Sequence, residues 1–362
     1  MQYQSLKLNG KNYSKDELVL LVKSKLEQNK LSEYERSLFS FIKEWLALGI
    51  TIKLKTSGST GVPKRVTVRK EQMIASAKMT CKYFHLTPKS NLLLCLSADF
   101  IAGKMMVIRA LVSGANLIVV EPNGNLLKGL KQKIDFLAMV PLQVENSLSG
   151  TATRKVFENI TSVIVGGAAI SHSLEKAVSK SRNKVYATFA MTETLSHIAL
   201  RKLSRKQKTD VFELLPGIKI KRDKRGCMVV NALKLNDNSI STNDVIEIVD
   251  KNHFRWLGRY DNVINSGGIK IFPERIEGKI SKLIPNNRFF IASLPDNKLG
   301  EKVVLVIEGM AVNKVNEVRN KVEKTLSKYE RPKDYLVLKE FIETPNGKVK
   351  RQETLKLIKN YL

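Results

Sequence analysis

The segment Thr56-Ser-Gly-Ser-Thr-Gly-Val-Pro-Lys64 brings hydroxyls, glycines and a cation together in one short stretch. Gly58 and Gly61 permit positive φ and let the backbone approach a ligand closely. Thr56, Ser57, Ser59 and Thr60 carry hydroxyls, successive N–H groups can form an anion nest, and Lys64 adds a point charge. These features predict a loop that holds the polyphosphate of a nucleotide. The segment is not a Walker loop, because Gly-x-x-x-x-Gly-Lys-[Ser/Thr] is absent. A plain polar hairpin turn is the alternative reading. Three further segments follow in order: Met191-Thr-Glu-Thr194, Gly258-Arg-Tyr-Asp-Asn262 with Ser266-Gly-Gly268, and Pro345-Asn-Gly-Lys-Val-Lys-Arg351. Each alone has an ordinary explanation as a helix cap, a surface turn or a solvated basic tail.

Elements that can position these segments are legible from apolar spacing. Residues 14–48 carry helical periodicity through Leu18, Leu21, Val22, Leu26, Leu38, Phe41, Ile42 and Trp45. Ile50-Thr-Ile-Lys-Leu54 alternates like a strand ahead of the glycine loop. Val66-Thr-Val68 reads as its return, and a helix is expected from about Lys70 to Phe84. Short apolar runs at Leu92–Leu96, Leu117–Val120, Phe136–Val140, Ser162–Val165 and Lys184–Thr188 alternate with helical stretches. That pattern predicts an α/β architecture, a mostly parallel sheet covered by helices. Gly166-Gly167 follows one run directly, where such a sheet binds ligand. After about Asp210 the strands shorten and alternate, predicting a small β subdomain. From Arg259 onward a small α+β unit is expected. The division is therefore a large domain over residues 1–258 and a small one over 259–362.

With 362 residues, 43% hydrophobic and 27% charged, the chain can bury a core. No apolar run reaches the ~18 residues of a membrane span, and Met-Gln-Tyr-Gln-Ser-Leu-Lys lacks a signal-peptide core. A cytoplasmic location without stable membrane association is expected. Cys81, Cys95 and Cys227 lie far apart and read as reduced thiols; with four histidines and no ligand-like pair, a zinc site is not expected. The formal charge of +28 raises nucleic-acid binding. The cations are spread along the whole chain, and the densest stretches, 201–208 and 219–225, lack interleaved aromatics. The expectation is no nucleic-acid partner, and a basic field that attracts anionic small molecules. A homodimer is left open.

In this order the segments resemble the signatures of the adenylate-forming superfamily, which includes acyl-CoA synthetases, luciferases and peptide-synthetase adenylation domains. The resemblance covers roughly residues 50–355. It implies ATP, Mg²⁺ and CoA, and a two-step reaction through an acyl-adenylate. By this resemblance Thr192 touches the phosphates and Glu193 holds the metal; Ala190 replaces the usual glycine. Asp244, in Thr242-Asn-Asp244, would accept from the ribose hydroxyls and Arg259 would contact ribose or phosphate. Asp261 would be the hinge between the domains, and Gly267 and Gly268 would line the pantetheine tunnel. Lys348 would be the catalytic lysine that bridges the substrate carboxylate and the α-phosphate.

The acid is suggested by the middle of the chain. Asp99–Leu111, Val140-Pro-Leu-Gln143, Val165–Ile170 and Glu193-Thr-Leu-Ser-His197 are similar to the o-succinylbenzoate–CoA ligases of menaquinone synthesis. Arg109 would then bind the second carboxylate, with Ser196 and His197 near the acyl pocket, and Phe100 standing where a histidine is usual. The plain alternative for Arg109 is a surface helix residue. Typical members carry a longer segment ahead of the glycine loop, so the start of the large domain is reduced. A ligase for another aromatic or aliphatic acid, a stand-alone adenylation module loading a carrier protein, and a non-catalytic nucleic-acid-binding protein are the alternative functions.

Overall fold

Runs such as Leu92-Leu-Leu94 and Ser162-Val-Ile-Val165 have no charged face, so they belong in a sheet covered on both sides. The computed structural model, which describes residues 4–55, 65–123, 126–204, 209–343 and 349–359, contains that sheet. The strands β1 (Leu6–Leu8) and β2 (Lys11–Tyr13) and the helices α1 (Lys15–Leu26) and α2 (Glu33–Leu46) precede the hairpin β3 (Thr51–Lys55) and β4 (Arg65–Arg69). Next come α3 (Lys70–Tyr83), β5 (Asn91–Leu94), α4 (Ile101–Ser113), β6 (Asn116–Val119) and β7 (Phe136–Met139). They are followed by α5 (Pro141–Ser149), α6 (Thr151–Asn159), β8 (Ser162–Val165), α7 (His172–Ser179) and β9 (Lys184–Ala190). An antiparallel series continues with β10 (His197–Lys202), β11 (Val211–Leu214), β12 (Lys219–Arg222), β13 (Cys227–Asn231), β14 (Ile240–Ile248) and β15 (His253–Arg259). The last stretch holds β16 (Ile264–Ser266), β17 (Ile269–Ile271), α8 (Pro273–Ile280), β18 (Phe289–Asp296), β19 (Gly300–Glu308), α9 (Val312–Thr325), β20 (Asp334–Leu338) and α10 (Arg351–Lys359).

Among the described residues the first fifteen strands, β3 and β4 excepted, form one sheet in the order β12-β13-β14-β15-β11-β10-β9-β8-β7-β5-β6-β1-β2. The strands from β9 to β1 run parallel to their neighbours. The stretch after Asp210 is antiparallel, as its alternation implied, and is hydrogen-bonded to the parallel half through β10 rather than standing apart. Side chains alternate across the parallel half. Leu92, Leu94, Phe136, Ala138 and Ile164 join the core with α2, α3 and α4, while Leu93, Cys95, Leu137, Met139, Val163 and Val165 pack with α5, α6 and α7. The period of two therefore divides one strand between two cores.

The initial helices, outside the family resemblance, belong to the first core through Leu38, Phe41, Ile42 and Trp45. Ser14 and Glu17 form a capping box that starts α1. Lys70 donates to the carbonyls of Trp45 and Ala47, each at 2.8 Å, closing the end of α2 against the strand that leaves the glycine segment. Burial lowers the Lys70 pKa, with Glu44 opposing. The sheet edge carries a hairpin that periodicity did not suggest: β1 and β2 are joined by Asn9 (φ 47°) and Gly10 (φ 88°). A second sheet, β17-β16-β19-β18 with β20 beside β19, begins after the turn Tyr260–Asn262. It buries Ile276, Ile280, Val318 and Val322 of α8 and α9 on one face and Leu355 and Ile358 of α10 on the other.

In the first turn of α4, a Cβ on Gly103 would stand 2.2 Å from the Ser97 carbonyl oxygen and 2.7 Å from that of Leu96. The helix therefore rides on the backbone that leaves β5. Gly103→Ala is expected to cost about 1–3 kcal/mol or more through overpacking. A lower midpoint of urea unfolding checks it. Gly49→Ala, with nothing within 4 Å, is the control that should leave the midpoint unchanged. Equal midpoints for the two variants would refute the close approach.

Candidate active site

Strand β5 lies between β6 and β7, so the chain leaves it first to one side and then to the other. Open parallel sheets bind ligands at the carboxyl ends of such strands. Four loops converge there: residues 95–100 after β5, Val140 after β7, Gly166-Gly167 after β8, and residues 191–196 after β9. Gln143 ties two of these exits by donating to the Cys95 carbonyl at 3.0 Å. A Cβ on Gly166 would stand 2.2 Å from Thr188 Oγ1, so a larger residue there would have to displace the Thr188 hydroxyl. Gly167 is left-handed at φ 84°, with the position of a Cβ 3.4 Å from Val140 Cγ1.

Arg109 is not a surface residue. It sits on α4, 2% exposed, among Met105, Met106, Val107 and Ile108. Its Nη2 donates to Ser196 Oγ at 2.7 Å, its Nη1 reaches Met106 Sδ at 3.4 Å, and its guanidinium lies 5.8 Å from the centre of the Phe136 ring. No carboxylate pairs with it among the described residues, and its Nε has no hydrogen-bond partner. Burial pulls its pKa down to about 10, so it remains a cation at neutral pH. Isolated buried charges are costly unless paired, so this group is an unusual one to find in a core. Ser196 is half-buried and is the exposed end of the contact. It is presented by Leu195, a buried leucine at φ 65°. Left-handed backbone is disfavoured for such a side chain and marks strain at a site.

The other expected residues fall into separate groups. Phe100 precedes α4 but is 59% exposed. His197 is 2% exposed, with both ring nitrogens occupied: Nδ1 faces Ser196 Oγ at 3.3 Å and Nε2 faces Thr80 Oγ1 at 3.4 Å. It backs the site rather than lining it. Thr192 opens the 3-10 turn Thr192–Thr194 directly after β9, and Glu193 is exposed there. No cluster of three metal-ligating side chains exists among the described residues. A single accessible carboxylate nevertheless suits Mg²⁺, which keeps waters and takes its remaining oxygens from substrate phosphates. Asp244 pairs with Arg259 across β14 and β15, their charged atoms 3.7 Å apart, and accepts from Trp256 Nε1 at 3.0 Å. Asp261 accepts from Asn243 Nδ2 and from Arg259 Nη2, each at 3.2 Å. Gly258 precedes this group at φ 148°, where a Cβ would meet Glu274 Oε2 at 2.4 Å. Gly267 and Gly268, both left-handed, turn β16 into β17. Thr56, Ser57, Gly58, Ser59, Thr60, Gly61, Lys64 and Lys348 lie outside the described residues; β3 and β4, which flank the first seven, pair in register from Thr51↔Arg69 to Lys55↔Arg65. An open cleft of about 620 Å³ carries Lys221, Arg222, Lys224, Arg225 and Lys270, with Asp223 beside Arg225.

Thr80 is the residue of this region that periodicity did not single out. It lies in α3, fully buried, one turn after Ser76. Burial, reinforced by the Arg109 charge, holds the His197 pKa well below the usual 6.5. The unfolded chain therefore binds a proton below pH ~6.5 that the folded chain does not, and stability falls as pH drops through that value. Urea unfolding between pH 5 and 8 should show a loss approaching about 1.4 kcal/mol per pH unit from this residue. His197→Gln should flatten the slope, and an unchanged slope would contradict a neutral, buried His197.

The model of the AMP-binding enzyme family matches residues 54–229. Among curated relatives, 2-succinylbenzoate–CoA ligase of Lactococcus lactis is 24% identical over 323 residues, 84% of this chain and 70% of that protein. The ligase of the same name from Salmonella typhimurium is 26% identical over 344 residues, 88% of this chain and 70% of that protein. Among solved structures, O-succinylbenzoate coenzyme A synthetase from Bacillus subtilis, in complex with ATP and magnesium ion, shares the fold at 19% identity. Its TM-score is 0.71, over 84% of this chain and 69% of that chain. An acyl-CoA synthetase (AMP-forming)/AMP-acid ligase II-like protein from Dyadobacter fermentans is 37% identical with a TM-score of 0.63, covering 94% of this chain and 98% of that chain. That identity spans nearly the whole of both chains, and this chain belongs to the AMP-binding family of AMP-forming acyl-CoA synthetases.

Proposed function

We propose that the protein is an ATP-dependent acid–CoA ligase that converts o-succinylbenzoate to o-succinylbenzoyl-CoA, the ligation used in menaquinone synthesis. The observation that carries the substrate is the buried Arg109 guanidinium, which has no carboxylate partner among the described residues. A fatty-acid tunnel would not tolerate such a charge, whereas the second carboxylate of a dicarboxylic acid neutralises it. The names of the curated relatives point to the same acid.

The reaction has two steps. A carboxylate oxygen of the acid attacks the α-phosphorus of ATP, and pyrophosphate leaves. The CoA sulfur then attacks the acyl carbon, the thiol proton is released, and AMP departs. In the first step Lys348 bridges the carboxylate and the α-phosphate, electrostatic work that needs only position and charge. The segment Thr56–Lys64 holds the polyphosphate of ATP, Thr192 contacts the phosphates, Asp244 accepts from the ribose hydroxyls, and Arg259 contacts ribose or phosphate. Mg²⁺ held by Glu193 supplies charge neutralisation at the phosphates when bound. Residues 1–258 and 259–362 act as the large and small domains. Rotation near Asp261 exchanges Lys348 for the Gly267-Gly268 turn, which lines the path of the pantetheine arm. Arg109, through its contact with Ser196, holds the carboxylate that is not activated. The basic cleft around Lys221, Arg222, Lys224 and Lys270 adds a field that draws polyanionic ATP and CoA toward the protein.

Pyrophosphate release with ATP, Mg²⁺ and CoA, over a panel of o-succinylbenzoate, benzoate, a medium-chain fatty acid and amino acids, tests this reading. Turnover is expected with o-succinylbenzoate; turnover only with a monocarboxylic acid would overturn the substrate. Lys348→Ala should slow adenylate formation by at least about a hundredfold and spare thioester formation from supplied acyl-adenylate. Equal loss of both half-reactions would remove Lys348 from the first step.

A further inference from the structure

Four polar side chains, Arg109 of α4, Ser196 and His197 at the start of β10 and Thr80 of α3, form a line that runs from the half-buried Ser196 into the core. Arg109 Nη2 donates to Ser196 Oγ at 2.7 Å, Ser196 Oγ meets His197 Nδ1 at 3.3 Å, and His197 Nε2 meets Thr80 Oγ1 at 3.4 Å. Thr80 Oγ1 in turn donates to the Ser76 carbonyl at 3.4 Å. Its hydrogen is thereby used, so Thr80 accepts from His197, and His197 carries its proton on Nε2. Nδ1 is then the acceptor for the Ser196 hydroxyl, which leaves a serine lone pair for Arg109. With this tautomer each hydrogen bond between the four side chains runs from donor to acceptor in one direction, from Arg109 to Thr80. Reversing the tautomer would place an imidazole N–H and an arginine N–H on the same serine oxygen. The Ser196 hydroxyl hydrogen would then turn away from His197.

We infer that Thr80 is a positioning residue for the acid site: through the tautomer of His197 it orients the Ser196 hydroxyl and thereby fixes the Arg109 guanidinium. The inference rests on the dicarboxylate–CoA ligase reading for its consequence and on the hydrogen-bond line for its geometry. Arg109 needs such support. Its Nε is unpaired, its Nη1 has only the Met106 sulfur, and no carboxylate holds it among the described residues. Ser196 is then the contact that fixes its direction, and the hydroxyl of Ser196 points correctly only while Nδ1 is bare. Thr80 itself is fully buried in α3 and separated from Ser196 by the imidazole ring, so it does not touch substrate.

Thr80→Val keeps the shape and removes the acceptor; Thr80→Ser keeps both hydroxyl and acceptor. Thr80→Val should raise the KM for o-succinylbenzoate by roughly five- to tenfold, the loss of about one hydrogen bond, with kcat changed less than about twofold. The KM for a monocarboxylate analogue should not move. Thr80→Ser should restore the parent KM. A fall in kcat for every acid, or equal loss in the Val and Ser variants, would show Thr80 to be structural only. Imidazole ¹⁵N spectra of the full chain give a readout that needs no substrate. The parent protein should show His197 protonated on Nε2, and Thr80→Val should lose that preference. Protonation on Nδ1 in the parent would overturn the proposal even if the ligase reading holds. A parent enzyme that shows the Nε2 tautomer and its loss in Thr80→Val, but ignores dicarboxylates, would support the line and overturn the substrate reading instead.

Discussion

A guanidinium buried with no carboxylate partner among the described residues is the most demanding feature of this fold. The desolvation cost of such a charge is several kcal/mol even after relaxation. The structure offsets part of it with one serine oxygen, one thioether sulfur and an aromatic face. The apolar length of α4 ensures the burial, since Met105, Met106, Val107, Ile108, Ala110 and Leu111 surround Arg109 in sequence and none is exposed. The cation therefore cannot relax toward water without unpacking the helix. An anion arriving beside Ser196 would meet it at full strength, because the surrounding dielectric is low.

The sheet explains why this occurs at one edge. Strands β5, β7 and β8 are covered on both faces and present polar groups only at their ends. Helix α4 follows β5 after the loop 95–100 and is pressed on the Ser97 carbonyl at Gly103, which sets the height of Arg109. The strand β9 and its 3-10 turn deliver Glu193 and Ser196 from the other side, and the left-handed Leu195 aims the serine inward. Thus a tight helix start and one strained residue place the two partners within hydrogen-bond distance. The initial helices α1 and α2 complete the same core, with Tyr34 donating to the Leu94 carbonyl at the end of β5.

The parallel strands were legible because both faces are buried, so their apolar runs are uninterrupted. Their boundaries fell within a residue or two: Leu92–Leu96 as read is Asn91–Leu94, and Ser162–Val165 is unchanged. The β1–β2 hairpin was missed although Asn9-Gly10 is a strong turn signal, because strands of three residues carry too little periodicity. Arg109 stood out in the sequence as a candidate only through the family resemblance, and its burial follows from the uniformly apolar helix around it rather than from its own type. The resemblance put His197 near the acyl pocket; the chain enters β10 there and turns the ring into the core. Thr80 left no mark in the sequence. A threonine one turn after a serine is ordinary in a helix, and its partner lies 117 positions away.

On the proposed function, Arg109, which has no carboxylate partner among the described residues, awaits the second carboxylate of the acid. The most direct test of this role compares kcat/KM for o-succinylbenzoate with that for analogues lacking one or other carboxylate, in the parent enzyme and in Arg109→Met. Removing one partner of a desolvated charge pair costs about 2–5 kcal/mol. Arg109→Met is expected to lose most of the preference for the dicarboxylate while retaining activity on an analogue whose remaining carboxylate is the one activated. A preference that survives the substitution intact would contradict this role.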